Sequence, residues 1–276
     1  MAFDVPFSPA AETAPAQRAF GRGRLAVRAE AGRTRLEGLY QEGSAKLRLP
    51  RARGASLEAV MINSAGGMTG GDRFGWTVEA GPGAHAVLTT QACERVYRAS
   101  ADVARVDVAL TLEVGTRLDW LPQETILFDG STLSRTITAD LAQDARLLLC
   151  EAVILGRHAM GETFARGAFH DRWRIRREGR LVFADDLRLD DDIPHLIHQP
   201  ALLAGAGAFA TLLLVAPDAD TRLDAVRAAI GDLGGASAFD GKLVARIAAP
   251  DGLTLRRVVI PALIALGAAP PAVWTL

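Results

Sequence analysis

The chain has 276 residues, enough for one large domain or two small ones, and a single all-β unit of this length is ordinary. About half of the residues (49%) are apolar and the formal net charge is −1, so the composition predicts a soluble globule with a sizeable core. These values argue against a nucleic-acid binder and against a disordered scaffold.

Residues 1–20 are predicted to form a flexible N-terminal arm. They contain three prolines and two acids, Asp4 and Glu12, and they lack the apolar run of a secretory signal. Residues 21–276 show no linker rich enough to mark a boundary and no convincing repeat. We interpret them as a single β-rich domain.

Alternation of apolar and polar residues, which is typical of half-buried strands, dominates the chain to about residue 190. Segment 147–155 is apolar on both sides and should be covered on both faces. No βαβ alternation is visible. The prediction is a mostly β fold of stacked or coiled, antiparallel-rich sheets with β-helix-like layering. The clearest alternating segments are 24–29, 45–49, 103–112 and 133–139.

The uncharged run 200–217 is interrupted by glycines and bounded by prolines, and it is shorter than the roughly 20 residues of a membrane span. It predicts a glycine-rich turn followed by a buried strand over 209–215. Two helices are predicted near the C-terminus. One covers 220–230 and stops at Gly231; the other runs over 253–266, with Asp251 as its cap and a kink at Pro261.

The glycine-rich loop 64–72 is the most unusual motif, with two Gly-Gly pairs followed by Asp72. A P-loop would need Lys-Ser or Lys-Thr and then a helix, whereas Asp72-Arg73 and a predicted strand follow here. A dinucleotide-binding fingerprint fails for the same reason. Two interpretations stay open: a tight connection capped by Asp72, or a shaped site that displays this acid.

Standard catalytic and metal motifs are not evident. His195 and His198 have a ligand-like spacing, but the prolines on either side predict a surface loop rather than a closed metal site. Ser64 and Ser131 lack the nucleophile-elbow motif, and Cys93 is expected to be a small packed residue. Two cysteines are too few for a disulfide framework, which favours a reducing compartment, the cytoplasm.

Several carboxylates lie among apolar or glycine-rich neighbours, where an acid is costly unless it is paired, hydrogen-bonded or next to water. Glu151 is the clearest example because it interrupts an apolar strand. Either an arginine such as Arg146 or Arg157 pairs with it, or it lines a water-filled interior. The other acids that we single out are Asp72, Glu94, Glu162 and Asp185.

Motifs spread over most of the chain occur in the order that one protein family shows. They are Gly66–Asp72, Val96–Arg98, Leu118–Glu124 with Phe128, Leu155–Phe164, and Leu243–Arg246 followed by Leu255-Arg256. Together they resemble the urease accessory proteins of the D type, called the H type in some bacteria. The resemblance runs from about Gly21 to the C-terminus.

This resemblance implies a non-enzymatic maturation factor. Members of that family bind the urease apoprotein and recruit an F-type accessory protein and a G-type GTPase, and the complex delivers nickel into the urease active site. No cofactor is expected to be stably bound, although Ni(II) would pass transiently. The family fold is mostly β, with layered sheets and a small helical part.

A carrier must hold Ni(II) loosely, and carboxylates bind this ion more weakly than imidazoles do. Spaced acids along a wet interior would lower the barrier for a divalent cation without trapping it. The hypothesised passage residues are Asp72, Glu94, Glu151, Glu162 and Asp185. Two alternatives stay open: a pure docking scaffold in which arginines cap the acids, and a β-helix carbohydrate-active enzyme with paired acids and exposed aromatic residues.

Overall fold

The computed structural model describes residues 17–51, 54–190 and 192–275, so most of the predicted N-terminal arm lies outside the described residues. The α-helices are α1 (Ile193–His198), α2 (Leu223–Ile230) and α3 (Gly252–Ala265). The strands are β1 (Phe20–Glu30), β2 (Arg33–Gly43), β3 (Ala45–Arg48), β4 (Leu57–Asn63), β5 (Arg73–Ala80), β6 (His85–Thr90), β7 (Glu94–Val96), β8 (Ala104–Leu112), β9 (Arg117–Trp120), β10 (Thr125–Leu127), β11 (Ser131–Leu141), β12 (Arg146–Leu155), β13 (Gly167–Arg177), β14 (Arg180–Leu189), β15 (Ala208–Val215), β16 (Gly234–Phe239) and β17 (Lys242–Ala249).

Two stacked sheets form the body of the protein. The first has seven strands in the order β14-β13-β11-β8-β5-β1-β2. The second has ten strands, eight of them in the order β16-β17-β15-β12-β9-β6-β4-β3, with β10 paired to both β12 and β7. The prediction of a mostly β protein with stacked, coiled layering is confirmed.

Strand direction differs from the sequence-based expectation of antiparallel-rich sheets. Within the described residues, nine strand pairings are parallel and six are antiparallel. From β4 onward, the chain crosses from one sheet to the other and back. As far as β13, each return therefore adds a strand parallel to its neighbour in that sheet. Strand β15 follows the β13–β14 hairpin and runs antiparallel to β12. Hairpins occur mainly toward the edges, as in β1–β2 and β13–β14.

The connections between the sheets are long at one end and short at the other. Four-residue turns at 81–84, 113–116 and 142–145 close one end. At the opposite end, loops 64–72, 91–103, 121–130 and 156–166 join the sheets, and we call the surface that they form the crossover face. Within two of these loops, β7 and β10 form a small parallel ladder that also includes Met68.

Apolar side chains fill two layers. One core lies between the sheets, and a second lies between the ten-stranded sheet, α2 and α3. Strands β12 and β15 separate these cores and are buried on both faces, as predicted for segments 147–155 and 209–215. Nowhere in the described ranges is a helix both long enough and apolar enough to cross a bilayer.

Both predicted C-terminal helices are present. Helix α2 ends before Gly231, whose φ is +56°, a conformation that favours glycine. The Asp251 side chain accepts a hydrogen bond from the Thr254 amide at 2.8 Å and caps α3, which continues through Pro261. The loop predicted around His195 is wrong, because these residues form α1 with Pro194 in its first turn, where a missing N–H is tolerated.

Candidate functional site

A cavity of about 60 Å³ lies between the two sheets, beneath the crossover face. One water molecule takes up about 30 Å³ in the liquid, so this space suits about two. Most of the wall is apolar, and its charged lining residues are Glu94, Glu151 and Arg135. Two of the acids singled out from the sequence therefore face one interior space.

Glu151 reaches this cavity from β12 and is paired within the protein. The buried guanidinium of Arg135, on β11, donates through Nη1 to Glu151 Oε2 and through Nε and Nη2 to the two oxygens of Asp171, the Nε contact being 3.0 Å. Trp120 Nε1 donates to Glu151 Oε1 at 2.9 Å. Burial outweighs the attraction of Arg135 and raises the pKa of Glu151 above its ordinary value.

The arginine partner of Glu151 is not one of the two expected from the sequence. Arg146 instead pairs with Asp218 at 3.0 Å, and Arg157 pairs with Glu162. Proximity along the chain misled that prediction, because Arg135 contacts Glu151 from β11 of the facing sheet.

A signal for Arg135 is nevertheless present in the sequence. In the alternating segment 133–139, Arg135 falls in the same row as Leu133 and Ile137, which is the inward row. An arginine in an apolar row requires buried acids as partners. Asp171 holds the matching position on β13, directly across from Arg135 in the register.

Glu94 enters the cavity from the crossover face without a cationic partner among the residues that the structure describes. Asn63 Nδ2 donates to its two carboxylate oxygens at 3.1 and 3.3 Å. Burial raises the pKa of Glu94 to about 7. Its charge therefore changes near neutral pH.

Asp72 is buried, but its oxygens hold the backbone of the glycine-rich loop. Oδ1 accepts from the Ala19 amide at 2.7 Å and Oδ2 from the Thr69 amide at 2.8 Å, which matches the capped-turn interpretation. The loop also requires close backbone contact, since a Cβ on Gly70 would lie 2.1 Å from the Ala101 carbonyl oxygen.

Glu162 and Asp185 lie away from the cavity. Glu162 accepts from Arg157 Nε at 3.1 Å and from the Asp129 amide at 3.2 Å, within the crossover face. Asp185, on β14, is 2.7 Å from Arg246 Nη2 in a separate groove between the edges of the two sheets. Three of the five singled-out acids thus have arginine partners, and Glu94 and Glu151 are the two that share the cavity.

A further charged cluster joins the crossover face to α3. Arg256 donates through Nε to Glu124 Oε1 at 2.8 Å and through Nη2 to Gln123 Oε1 at 3.0 Å. The Cys93 thiol donates to Glu124 Oε2 at 3.3 Å, and its pKa is raised to about 11, first by burial and then by the charge of Glu124. Cys93 therefore stays protonated and packed, as the sequence predicted.

The described part of the chain contains no group of three or more His, Cys, Asp or Glu side chains that could hold a metal ion. The two histidines of α1 make local contacts instead. His195 Nε2 is 2.6 Å from Gln199 Nε2, and His198 Nδ1 is 2.6 Å from the Pro194 carbonyl oxygen. The cavity is therefore the interior site where carboxylates collect around available space.

Comparison with known proteins gives consistent matches. The profile of the family described as UreD urease accessory protein matches residues 19–275. A urease accessory protein UreD of Rhizobium leguminosarum bv. viciae is 54% identical over 270 residues, which is 97% of this chain and 98% of the relative. Proteins with the same name from Sinorhizobium medicae (52% over 275 residues, 97% and 99% covered) and Agrobacterium fabrum (50% over 262 residues, 94% and 92%) are similar along almost the whole chain.

Proposed function

The chain belongs to the family of UreD urease accessory proteins, and on that basis we propose that it is a non-catalytic factor in urease maturation. In this proposal it binds the urease apoprotein and recruits an F-type accessory protein and a G-type GTPase. Its work would take place in the cytoplasm, a reducing compartment that the free thiols of Cys93 and Cys150 favour. An accessory role also fits the family better than the carbohydrate-enzyme alternative does.

The proposal includes transient passage of Ni(II), the cargo of the complex, through the interior. The observation that carries it is the set of carboxylates at the cavity. Glu94 and Glu151 line it, and the single guanidinium of Arg135 is shared between Glu151 and Asp171, which is not itself a lining residue. Burial raises the pKa of both acids, and a divalent cation that enters this space of low dielectric would favour their ionised forms and be attracted by them. Carboxylates without imidazoles hold Ni(II) loosely enough for release.

A second candidate is a docking scaffold through which no metal passes. The arginine partners of Glu151, Glu162 and Asp185 favour it, because a paired carboxylate has less charge to offer a passing ion. Glu94 has no such partner among the described residues, so it is the position at which the two candidates differ most.

The test is Glu94→Gln, which keeps the size of the side chain and removes its charge. A matched control is Glu79→Gln on the outer surface, where the carboxylate pairs with Arg24. Each variant is co-expressed with the urease subunits and the other accessory proteins. A pull-down measures assembly, and metal analysis of the purified urease measures nickel content.

If Ni(II) passes through the interior, Glu94→Gln should assemble normally with urease and the other accessory proteins but reduce the nickel content of the urease. Glu79→Gln should change neither assembly nor nickel content. Glu151→Ala should also reduce loading, although loss of its contact with Arg135 adds a structural effect. Full nickel content with Glu94→Gln would leave the scaffold as the better description. Failure of the wild-type chain to associate with urease would contradict the accessory function itself.

A further inference from the structure

The crossover face is a continuous surface built from four separate segments of the chain. Gly70 packs against the backbone of Ala101, which joins the first loop to the second. Tyr97 donates through its hydroxyl to the Gly66 carbonyl at 3.0 Å and meets the Phe128 ring edge-on at 5.0 Å between centroids. Arg157, from the last loop, lies over the other side of this cluster, 4.4 Å from the centre of the Phe128 ring.

This surface carries a strong excess of exposed cations. Six arginines on the four loops or at the adjoining strand starts are exposed, against one exposed acid, Asp102. Asp129 and Glu162 are half-buried and already engaged by arginines of the same surface. The exposed arginines are Arg73, Arg95, Arg98, Arg105, Arg157 and Arg166.

The opposite end of the protein has a different charge pattern. Four acids are exposed at or beside its short turns, Glu30, Glu113, Asp144 and Glu178, whereas turn 81–84 contains none. Exposed arginines such as Arg33 and Arg180 accompany these acids, so cations and acids are mixed at this end. The chain as a whole is nearly neutral, with a net charge of −1. The positive charge of the crossover face therefore reflects an uneven distribution of charge and not a generally basic protein.

The kind of cation is also informative. All six exposed cations are arginines, the charged residue most enriched at protein interfaces because its planar guanidinium binds carboxylates in a bidentate geometry. Arg73 and Arg105 are neighbours in the sheet register and have no ion-pair partner among the described residues. Exposed apolar side chains accompany them, Tyr97 at 37% exposure and Met160 at 74%.

We infer that the crossover face is the docking surface for the urease apoprotein and that it binds a carboxylate-rich patch on that partner. The inference rests on the proposed function for the identity of the partner, and on charge complementarity for the location. Arginines would pair with the partner's acids, while Tyr97 and Met160 supply apolar contacts between them. Glu94 and the cavity lie directly beneath this surface, so docking here would bring the interior site next to the partner.

The test reverses two charges at this surface. The variant Arg73→Glu/Arg105→Glu alters exposed side chains, and the hydrogen bonds that these two residues make among the described residues come from their backbones. The matched control, Arg33→Glu/Arg180→Glu, makes the same change in net charge at the opposite end, also at exposed positions. Affinity of each full-length protein for purified urease apoprotein is measured at about 0.05 M and about 0.3 M NaCl, since added salt screens exposed charges.

We expect the crossover-face variant to bind about ten-fold or more weakly at low salt, in line with the loss of interface arginines. The control should stay within about two-fold of the wild type, and wild-type binding should weaken as salt rises. Thermal unfolding of all three proteins checks that each remains folded. Equal losses in both variants, or none in the first, would overturn the docking surface while leaving the accessory function intact. Absence of wild-type binding to the urease apoprotein would overturn both.

Discussion

Replacing Arg135 by methionine tests whether the buried charge cluster holds the two sheets together. Arg135 is 4% exposed and joins β11 to Glu151 in the opposite sheet and to Asp171 on the neighbouring strand. Methionine has a similar length but no charge. In Arg135→Met, both carboxylates would remain buried with only the indole N–H groups of Trp120 and Trp173 as donors.

The expected loss is large because removing one partner of a buried ion pair leaves an uncompensated charge. Such changes cost about 3–5 kcal/mol of unfolding free energy. Here two carboxylates lose the same partner, so the upper part of that range applies. At about 2–4 °C per kcal/mol for a chain of this size, a loss of about 4–5 kcal/mol should lower the melting temperature by about 8–20 °C.

Urea denaturation at neutral pH, followed by tryptophan fluorescence, measures this loss directly. The informative control is the triple variant Arg135→Met/Glu151→Gln/Asp171→Asn. Its amide oxygens can still accept from Trp120 and Trp173, and no buried charge is left. Burying two neutral amides costs less than burying two unpaired charges, so this variant should be more stable than Arg135→Met.

Arg135→Met with wild-type stability would refute the reasoning, since it would mean that the buried carboxylates do not depend on the guanidinium. A triple variant no more stable than Arg135→Met would also contradict it. In that case the packing of the arginine side chain, and not its charge, would be what stabilises the sheets.

Two more results are expected. The pKa of Glu94 lies near 7 in the folded protein, above its ordinary value in an unfolded chain, so the folded state binds more protons and wild-type stability should fall as pH rises from about 4.5 to about 7. Glu94→Gln should make this dependence shallower, which urea denaturation at several pH values can detect; an unchanged slope would contradict it. Gly70→Ala, whose Cβ would meet the Ala101 carbonyl oxygen, should destabilise the protein by about 1–3 kcal/mol. Gly54→Ala, with open space around it, should have a small effect on stability. Thermal unfolding of both variants measures the difference.

Much of the local structure followed from the sequence. The alternating segments form strands at the expected places, the doubly apolar segments form β12 and β15, and α2 and α3 begin and end near their predicted caps. These features depend on short-range chemistry: side-chain period, glycine conformations and capping by a nearby carboxylate. The short helix α1 was missed because proline was interpreted as a breaker, whereas it is tolerated in the first helical turn.

The candidate site was predictable in part. An acid in an apolar strand identified Glu151 as a group that needs a partner or water, and the structure provides the partner in Arg135 and the space in the adjacent cavity. The partner's identity was not predictable from spacing along the chain, because it lies on β11 of the opposite sheet. Glu94 reaches the same cavity from a loop that crosses between the two sheets, and this contact was not predictable from spacing either.

The sequence alone determined which segments become strands and helices, which side chains have to be buried, and the family to which the chain belongs. Only the tertiary structure decided strand direction, ion-pair partners, the cavity and the concentration of arginines on one face. The physical reason is that periodicity and capping act over a few residues. Contacts between the sheets depend instead on how many times the chain crosses from one sheet to the other and on the register in which the strands stack. Neither quantity can be deduced from a local sequence pattern.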